Sequence, residues 1–348
     1  MLVNNLHFSV FDSCGISIFS RHLREALSRL GHETFVTNLR TATSVTRAPV
    51  WILHYVPSSF AVPGASRALI TLLKSLEEPN KLFVILHGLH SYREDRLLDD
   101  TPCPQQAEHI RLMLETAESL TALSESAATA CRSWHAIFGG RARILRVDHP
   151  GLFVPSTRLT TTHGSYALLA GISRSKKSHT GGSIRTLLDL CRRNHIRVWE
   201  HWTNLTQSEP VPQAWRQTCG FLSDVDWADL ITQAQVVLCP YRTRIQSVSG
   251  MISEALSAHR SILSTSFDLA LEMKARAPEL IFLEDNIQRW PALIRQIPRS
   301  SGGIVNGIPT WDSFARSIAL EFEPPEPSAP YGTESGRTAV PWRALRNF

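Results

Sequence analysis

Val236-Val237-Leu238-Cys239-Pro240-Tyr241, followed after a polar loop by Ser249-Gly250-Met251-Ile252-Ser253-Glu254-Ala255-Leu256, is the stretch on which the fold turns. The first part is an apolar run stopped by Pro240. It reads as a strand buried on both faces of a parallel sheet. The second part opens a helix at Gly250 and sets Met251, Ala255 and Leu256 on one face. Strand, loop and a helix that starts on small residues together make a phosphate-binding geometry. The free backbone N–H groups of the first turn and the helix dipole both favour an anion there. Glu254 stands one turn in, where a carboxylate can accept ribose hydroxyls. An ordinary N-cap at Ser249 and a first-turn acid at Glu254 account for the same residues in purely structural terms.

The remainder of the chain repeats the alternation. Strands are expected at about 5–10, 33–37, 50–56, 81–86, 119–123 and 143–147, then at about 166–171, 196–201, 219–222, 235–240, 261–265 and 279–283. Helices are expected between them, including one after Gly15 with Phe19, Leu23, Ala26, Leu27 and Leu30 on one face, and others at about 212–217 and 225–233. Alternation of this kind predicts two βαβ units with parallel sheets. Asp148-His149-Pro150-Gly151 and the Ser/Thr-rich residues 155–165 punctuate the chain and read as a linker. The segment after Phe322 is rich in Pro, Glu, Ser and Gly and reads as irregular.

Five short motifs fall in order along this frame. They are Gly15-Ile16 before a helix ending in Leu30-Gly31-His32-Glu33; Leu120-Thr121-Ala122-Leu123-Ser124-Glu125-Ser126; Gly171-Ile172-Ser173-Arg174-Ser175-Lys176-Lys177 after a strand; the Ser249–Leu256 stretch; and Trp311-Asp312-Ser313-Phe314-Ala315. Together, over roughly residues 7–322, they resemble the retaining, GT-B-fold glycosyltransferases of the large group 1 family, in the branch with a Ser-Gly turn before a Glu-Ala helix. The resemblance implies an α/β fold of two Rossmann-like domains with parallel sheets facing a central cleft. Residues 1–156 would form the acceptor domain and 165–309 the nucleotide-sugar domain. Residues 310–322 would be a closing helix that crosses back to the first domain, and 323–348 a tail.

The same resemblance implies roles. Arg174 and Lys177 would clamp the diphosphate as it leaves, since a metal-free transferase must neutralise that charge. Gly15 would approach the diphosphate, with Ser249 and Gly250 supplying amides and Glu254 binding ribose. His87, after the run Lys81-Leu82-Phe83-Val84-Ile85-Leu86, would sit at a strand end, where α/β ligands bind, and hydrogen-bond the donor sugar or position the acceptor. His54 is a neighbouring candidate. The chain departs from the family pattern at Cys14, where a second glycine is usual, and at Gln246, where a sugar-contacting Glu is common. The donor would be a nucleoside-diphosphate sugar, with no metal or other cofactor. The acceptor could be a glycan, a lipid-linked molecule, a small molecule or a protein. A non-catalytic nucleotide-sugar-binding or scaffold subunit is the competing reading, and an NDP-sugar epimerase a weaker one.

Other chemistries are less well supported. His87-Gly88-Leu89-His90 has no third ligand nearby and no Glu base for a zinc site. Asp224-Val225-Asp226 looks like a metal-binding Asp-x-Asp, yet it precedes a helical pattern, so Asp224 or Asp226 is expected to cap that helix. No Walker loop, G-x-S-x-G elbow or strict G-x-G-x-x-G is present. The basic residues are not interleaved with aromatics as in a nucleic-acid platform. The net charge of +5 and pI near 9.0 suit anionic nucleotide-sugars and also peripheral association with an anionic membrane surface. No apolar run approaches the ~20 residues that span a bilayer, and no secretory signal is visible. The six cysteines are scattered, which favours free thiols and a cytoplasmic setting.

Overall fold

The computed structural model describes residues 1–8, 15–39, 48–60, 63–76, 81–88, 92–93, 96–97, 104–153, 166–171, 183–202, 215–241, 249–298 and 307–322. Arg174, Lys177, Cys14, Gln246, the expected linker over 155–165 and the tail after Phe322 lie outside the described residues.

Two six-stranded sheets organise the chain, and every pairing within them is parallel. The first contains β1 (Leu2–His7), β2 (Glu33–Asn38), β3 (Val50–Tyr55), β4 (Lys81–Leu86), β7 (Ser119–Ala122) and β8 (Arg143–Arg146), ordered β2-β1-β3-β4-β7-β8. A separate two-stranded antiparallel ribbon, β5 (Tyr92–Arg93) and β6 (Arg96–Leu97), follows β4. The second sheet contains β9 (Ala167–Gly171), β10 (Val198–Trp202), β11 (Arg216–Cys219), β12 (Val236–Cys239), β13 (Ser261–Ser264) and β14 (Ile281–Leu283), ordered β11-β10-β9-β12-β13-β14. Each order reverses once, between β1 and β3 and between β9 and β12. In open α/β sheets a ligand crevice forms beyond the carboxyl ends of the strands at such a reversal.

Helices cover both faces, so the central strands are buried along their length and mostly apolar. All six residues of β3 and all four of β12 are buried. In the first half the helices are α1 (Gly15–Arg29), α2 (Pro63–Ser75), α3 (Pro104–Thr116) and α4 (Glu125–Phe138). In the second they are α5 (Ser183–Arg193), α6 (Asp224–Thr232), α7 (Gly250–Ser257), α8 (Asp268–Arg276) and α9 (Trp290–Gln296). The last helix, α10 (Trp311–Ala319), returns to the first sheet. Its Trp311, Phe314, Ala315 and Ile318 join Phe19, Leu23, Ala26 and Leu27 of α1 over Val3, Ile52 and Phe83. Trp311 Nε1 donates to the Gly151 carbonyl at 2.9 Å, and Lys81 Nζ to the Phe322 carbonyl at 2.8 Å.

Two expectations are corrected. The first strand is Leu2–His7, not 5–10. Asn4 and Asn5 are poor strand formers, and they hid it, yet both are fully buried within it. The expected helix near 212–217 and strand near 219–222 give way to a strand at Arg216–Cys219. Gly220 takes φ +93°, a left-handed conformation that ends the strand there. Arg216 lies 4.0 Å over the Trp199 ring and holds the strand to β10.

The two sheets are joined by charge at one side. Arg146 Nη2 reaches Asp148 at 3.0 Å and Glu272 at 2.9 Å, and Arg276 reaches Asp148 at 2.8 Å. Glu272 Oε2 also accepts from the Glu125 backbone N–H, at the start of α4.

Candidate functional site

The two reversals bring the sequence motifs together. In the second sheet, β9 pairs with β12 only through Ala167↔Val236 and Leu168↔Val237, whereas it pairs with β10 over five positions. Beyond those two pairs β9 and β12 part towards their carboxyl ends. Gly171, the last residue of β9, comes just before the segment that contains Arg174 and Lys177 in the sequence, and β12 comes before the segment that ends at Ser249 and α7. The two segments singled out for diphosphate therefore follow adjacent strands in the sequence.

At the start of α7, Ser249 is the N-cap residue by its backbone, with φ −150° and ψ 107°, but its side chain makes no capping bond. Its hydroxyl is hydrogen-bonded instead to the Tyr241 hydroxyl. The first-turn amides therefore lack a side-chain cap, which suits an external anion. Glu254 is half-buried on the next turn. Trp227 Nε1 donates to its Oε2 at 3.1 Å, and its Oε1 turns towards Gly250. A Cβ on Gly250 would sit 3.3 Å from His149 Cε1 and 3.4 Å from His149 Nε2, so this glycine gives room to an imidazole. Gly15 is the first residue of α1, at the corresponding edge of the first sheet.

His149 is the residue the sequence did not reveal. Read in order, it looks like part of a linker; in space it lies beside Gly250. Its Nδ1 lies 2.7 Å from the Pro150 carbonyl, which can only accept, so Nδ1 carries the proton. Burial lowers its pKa to about 4, so the ring is neutral and Nε2 keeps its lone pair towards Gly250.

His87 follows β4 and is half-buried. Its ring packs edge-on against Phe19, 4.6 Å between centroids, and the rings of His54 and His149 lie against the same Phe19 at 5.5 and 5.2 Å. His87 Nε2 is 2.8 Å from His54 Nδ1, and His54 Nε2 is 2.5 Å from Asn5 Oδ1. Burial and the neighbouring His149 lower the His87 pKa to about 3. Burial, then His87 and His7, hold His54 well below its ordinary range.

The Asp-x-Asp reading of a cap shifts by one residue. Ser223 is the N-cap of α6, accepting from the Asp226 N–H at 3.1 Å and donating to Asp226 Oδ2 at 2.6 Å. Asp224 reaches across to α1, where His22 Nε2 is 2.9 Å and Arg21 Nη2 is 3.6 Å from its Oδ1. The hydrogen bond from His22 lowers the Asp224 pKa. Among the described residues no group of three His, Cys, Asp or Glu is arranged to hold a metal ion. No helix of the described residues is long and apolar enough to cross a membrane.

Two parallel six-stranded sheets with helices on both faces, each sheet with one reversal in strand order, define a GT-B fold. The chain's structural neighbours are glycosyltransferases of that fold. A sucrose-phosphate synthase from Thermosynechococcus elongatus matches with a TM-score of 0.64 at 13% identity, over 92% of this chain and 98% of that one. An alpha-glucosyltransferase in complex with UDP-glucose and DNA containing an abasic site matches with a TM-score of 0.60 at 10% identity, over 93% and 99%. AviGT4, a glycosyltransferase involved in avilamycin A biosynthesis, matches with a TM-score of 0.52 at 13% identity, over 92% and 96%. Neither the protein-family models nor the curated proteins contain a match to this chain.

Proposed function

We propose that this chain is a glycosyltransferase of the group 1 type, Ser-Gly branch, which moves a sugar from a nucleoside-diphosphate donor to an acceptor with retention of configuration and without a metal. The observation that carries the reading is the crevice between β9 and β12. There β9 ends at Gly171, just before Arg174 and Lys177 in the sequence, and the adjacent strand β12 precedes an uncapped helix start at Gly250. Amides and the helix dipole at Gly250 favour the diphosphate. Arg174 and Lys177 oppose the negative charge that grows on it as the glycosidic C–O bond breaks. Glu254, which accepts a hydrogen bond from Trp227, would accept the ribose hydroxyls. A β-phosphate oxygen takes the acceptor's proton on the face from which the diphosphate leaves, so no protein nucleophile is needed. The acceptor would enter past His87 and Gly15 on the first sheet.

The test is a thermal-shift screen of UDP, GDP, ADP and TDP and their sugars, followed by a hydrolysis assay on each hit. A nucleotide at 100 times its Kd should stabilise the fold by about 2.7 kcal/mol. No shift with any of them at millimolar concentration overturns nucleotide binding. Binding without sugar release from any donor overturns catalysis. Turnover that is lost in EDTA and restored by Mn²⁺ or Mg²⁺ overturns metal independence.

A further inference from the structure

The polar residues of the first sheet form a staircase. Asn5 on β1 is in register with Ile52, and His54 lies two residues beyond Ile52 on β3. His54 is in register with Ile85, and His87 lies two residues beyond Ile85, just past β4. Steps of two keep all three side chains on one face. It is the face that Val3, Ile52, Phe83 and Ile85 bury under α1 and α10. Asn5, His54 and His87 thus continue an apolar face with hydrogen-bonding groups at its carboxyl edge.

The direction of every hydrogen bond in this staircase follows from its first step. Asn5 Nδ2 lies 2.8 Å from the Ser20 carbonyl oxygen. A carbonyl only accepts, so the amide nitrogen faces Ser20 and Oδ1 faces His54. Asn5 Oδ1 only accepts, so His54 Nε2 carries a proton and donates to it. His54 is almost wholly buried and neutral, so its Nδ1 has a lone pair, which accepts from His87 Nε2–H. A neutral His87 then has its lone pair on Nδ1. Among the described residues the bond to His54 is the one hydrogen bond its ring makes.

We propose that Asn5 and His54 are positioning residues, which lock His87 in the Nε2–H tautomer so that its Nδ1 accepts a hydrogen bond from a substrate hydroxyl in the cleft. The substrate half of this statement rests on the glycosyltransferase reading; the tautomer half does not. His87 so held is an acceptor over the whole physiological range, not a general acid. His54, 1% exposed, would act only through His87.

The tautomer can be read in the intact, unliganded protein by two-bond ¹H–¹⁵N correlation spectra after labelling with ¹⁵N-histidine. The His87 signals are identified by their loss in His87→Gln. The expected result is a protonated Nε2 and an unprotonated Nδ1 on His87, unchanged from pH 8 to pH 5.5. A protonated Nδ1, or a charged ring at pH 7, overturns the proposal without any variant of Asn5 having to fold. Asn5→Leu should leave His54 and His87 as tautomer mixtures. It should also lower kcat by about 100-fold, the scale of a misplaced group, on UDP-, GDP-, ADP- or TDP-glucose, with the donor KM little changed. Asn5→Asp should draw a proton onto His54, reverse the bond to His87, and confine activity to alkaline pH. Wild-type tautomers and kcat in Asn5→Leu overturn the positioning role. A wild-type protein that turns over none of the four donors counts against the glycosyltransferase reading, while the spectra still decide the tautomer.

Discussion

At the crevice between β1 and β3 the site is made of side chains. Asn5, His54 and His87 meet in one chain of hydrogen bonds, and Phe19 packs against both of these imidazoles and His149. At the crevice between β9 and β12 the described part is backbone. Ser249 turns its hydroxyl to Tyr241, the first turn of α7 is left to its amides, and the adjacent strand β9 ends at Gly171, three residues before Arg174 in the sequence. The same strand reversal thus gives two kinds of surface. Buried imidazoles stay neutral because desolvation penalises their charged form, and they suit hydroxyls. Helix amides and cations keep positive potential at any pH near neutrality, and they suit a diphosphate.

The largest effect expected from this contrast is on rate. Arg174→Ala and Lys177→Ala should each raise the barrier by about 2.7–4 kcal/mol, a loss of roughly 10²–10³ in kcat, with little change in melting temperature. Wild-type turnover in the double variant would place the diphosphate charge elsewhere and break the contrast.

Next is Gly250→Val. The first atom of any side chain meets the His149 ring at 3.3–3.4 Å, and a branched one must displace it. Overpacking of this kind costs about 1–3 kcal/mol, measurable by urea denaturation, and nucleotide affinity should fall with it. Unchanged stability and affinity would show that the α7 start and His149 are not held together.

The third concerns acid. His54, His87 and His149 have folded pKa values below the ordinary 6.5, two of them about 3 and about 4. Between those values and 6.5 the unfolded chain binds more protons than the folded one, so stability falls as pH falls below about 6.5. Each histidine contributes a slope of up to about 1.4 kcal/mol per pH unit. Urea midpoints measured from pH 7.5 to 4.5 should decline, and less steeply in His149→Gln. A flat profile would mean that the imidazoles are not held neutral by burial.

The smallest effect is at Asp224→Asn. The side chain is 30% exposed, and its contact with His22 joins α6 to α1. A partly exposed pair is worth about 1 kcal/mol or less. The Asp224 pKa is lowered in the fold, so this contribution is present above the ordinary carboxylate range and fades as pH falls through the lowered value. A loss of activity much larger than the loss of stability would return Asp224 to the chemistry.

The two-sheet architecture was legible because buried parallel strands are mostly apolar and amphipathic helices repeat every 3.6 residues. β3, β4 and β12 needed nothing more. Gly250 and Glu254 were legible because small residues at a helix start and an acid one turn in are local signals. β1 was not, since two asparagines in six residues contradict strand preference until their burial is known. His149 was not, because its neighbour Gly250 is about a hundred residues away in the chain.

The sequence by itself therefore determined what local periodicity and turn chemistry can carry: the alternation of elements and the helix that starts at Gly250 after the buried strand β12. Only the tertiary structure decided which polar residues meet. Asn5, Ser20, His54 and His87 become one hydrogen-bonded chain because parallel register sets β1 beside β3 and β3 beside β4 at steps of two residues. The direction of that chain is imposed by a backbone carbonyl, at Ser20, that can only accept. Neither register nor burial is written in any short window of sequence, and those two quantities set the tautomer and the charge of an imidazole.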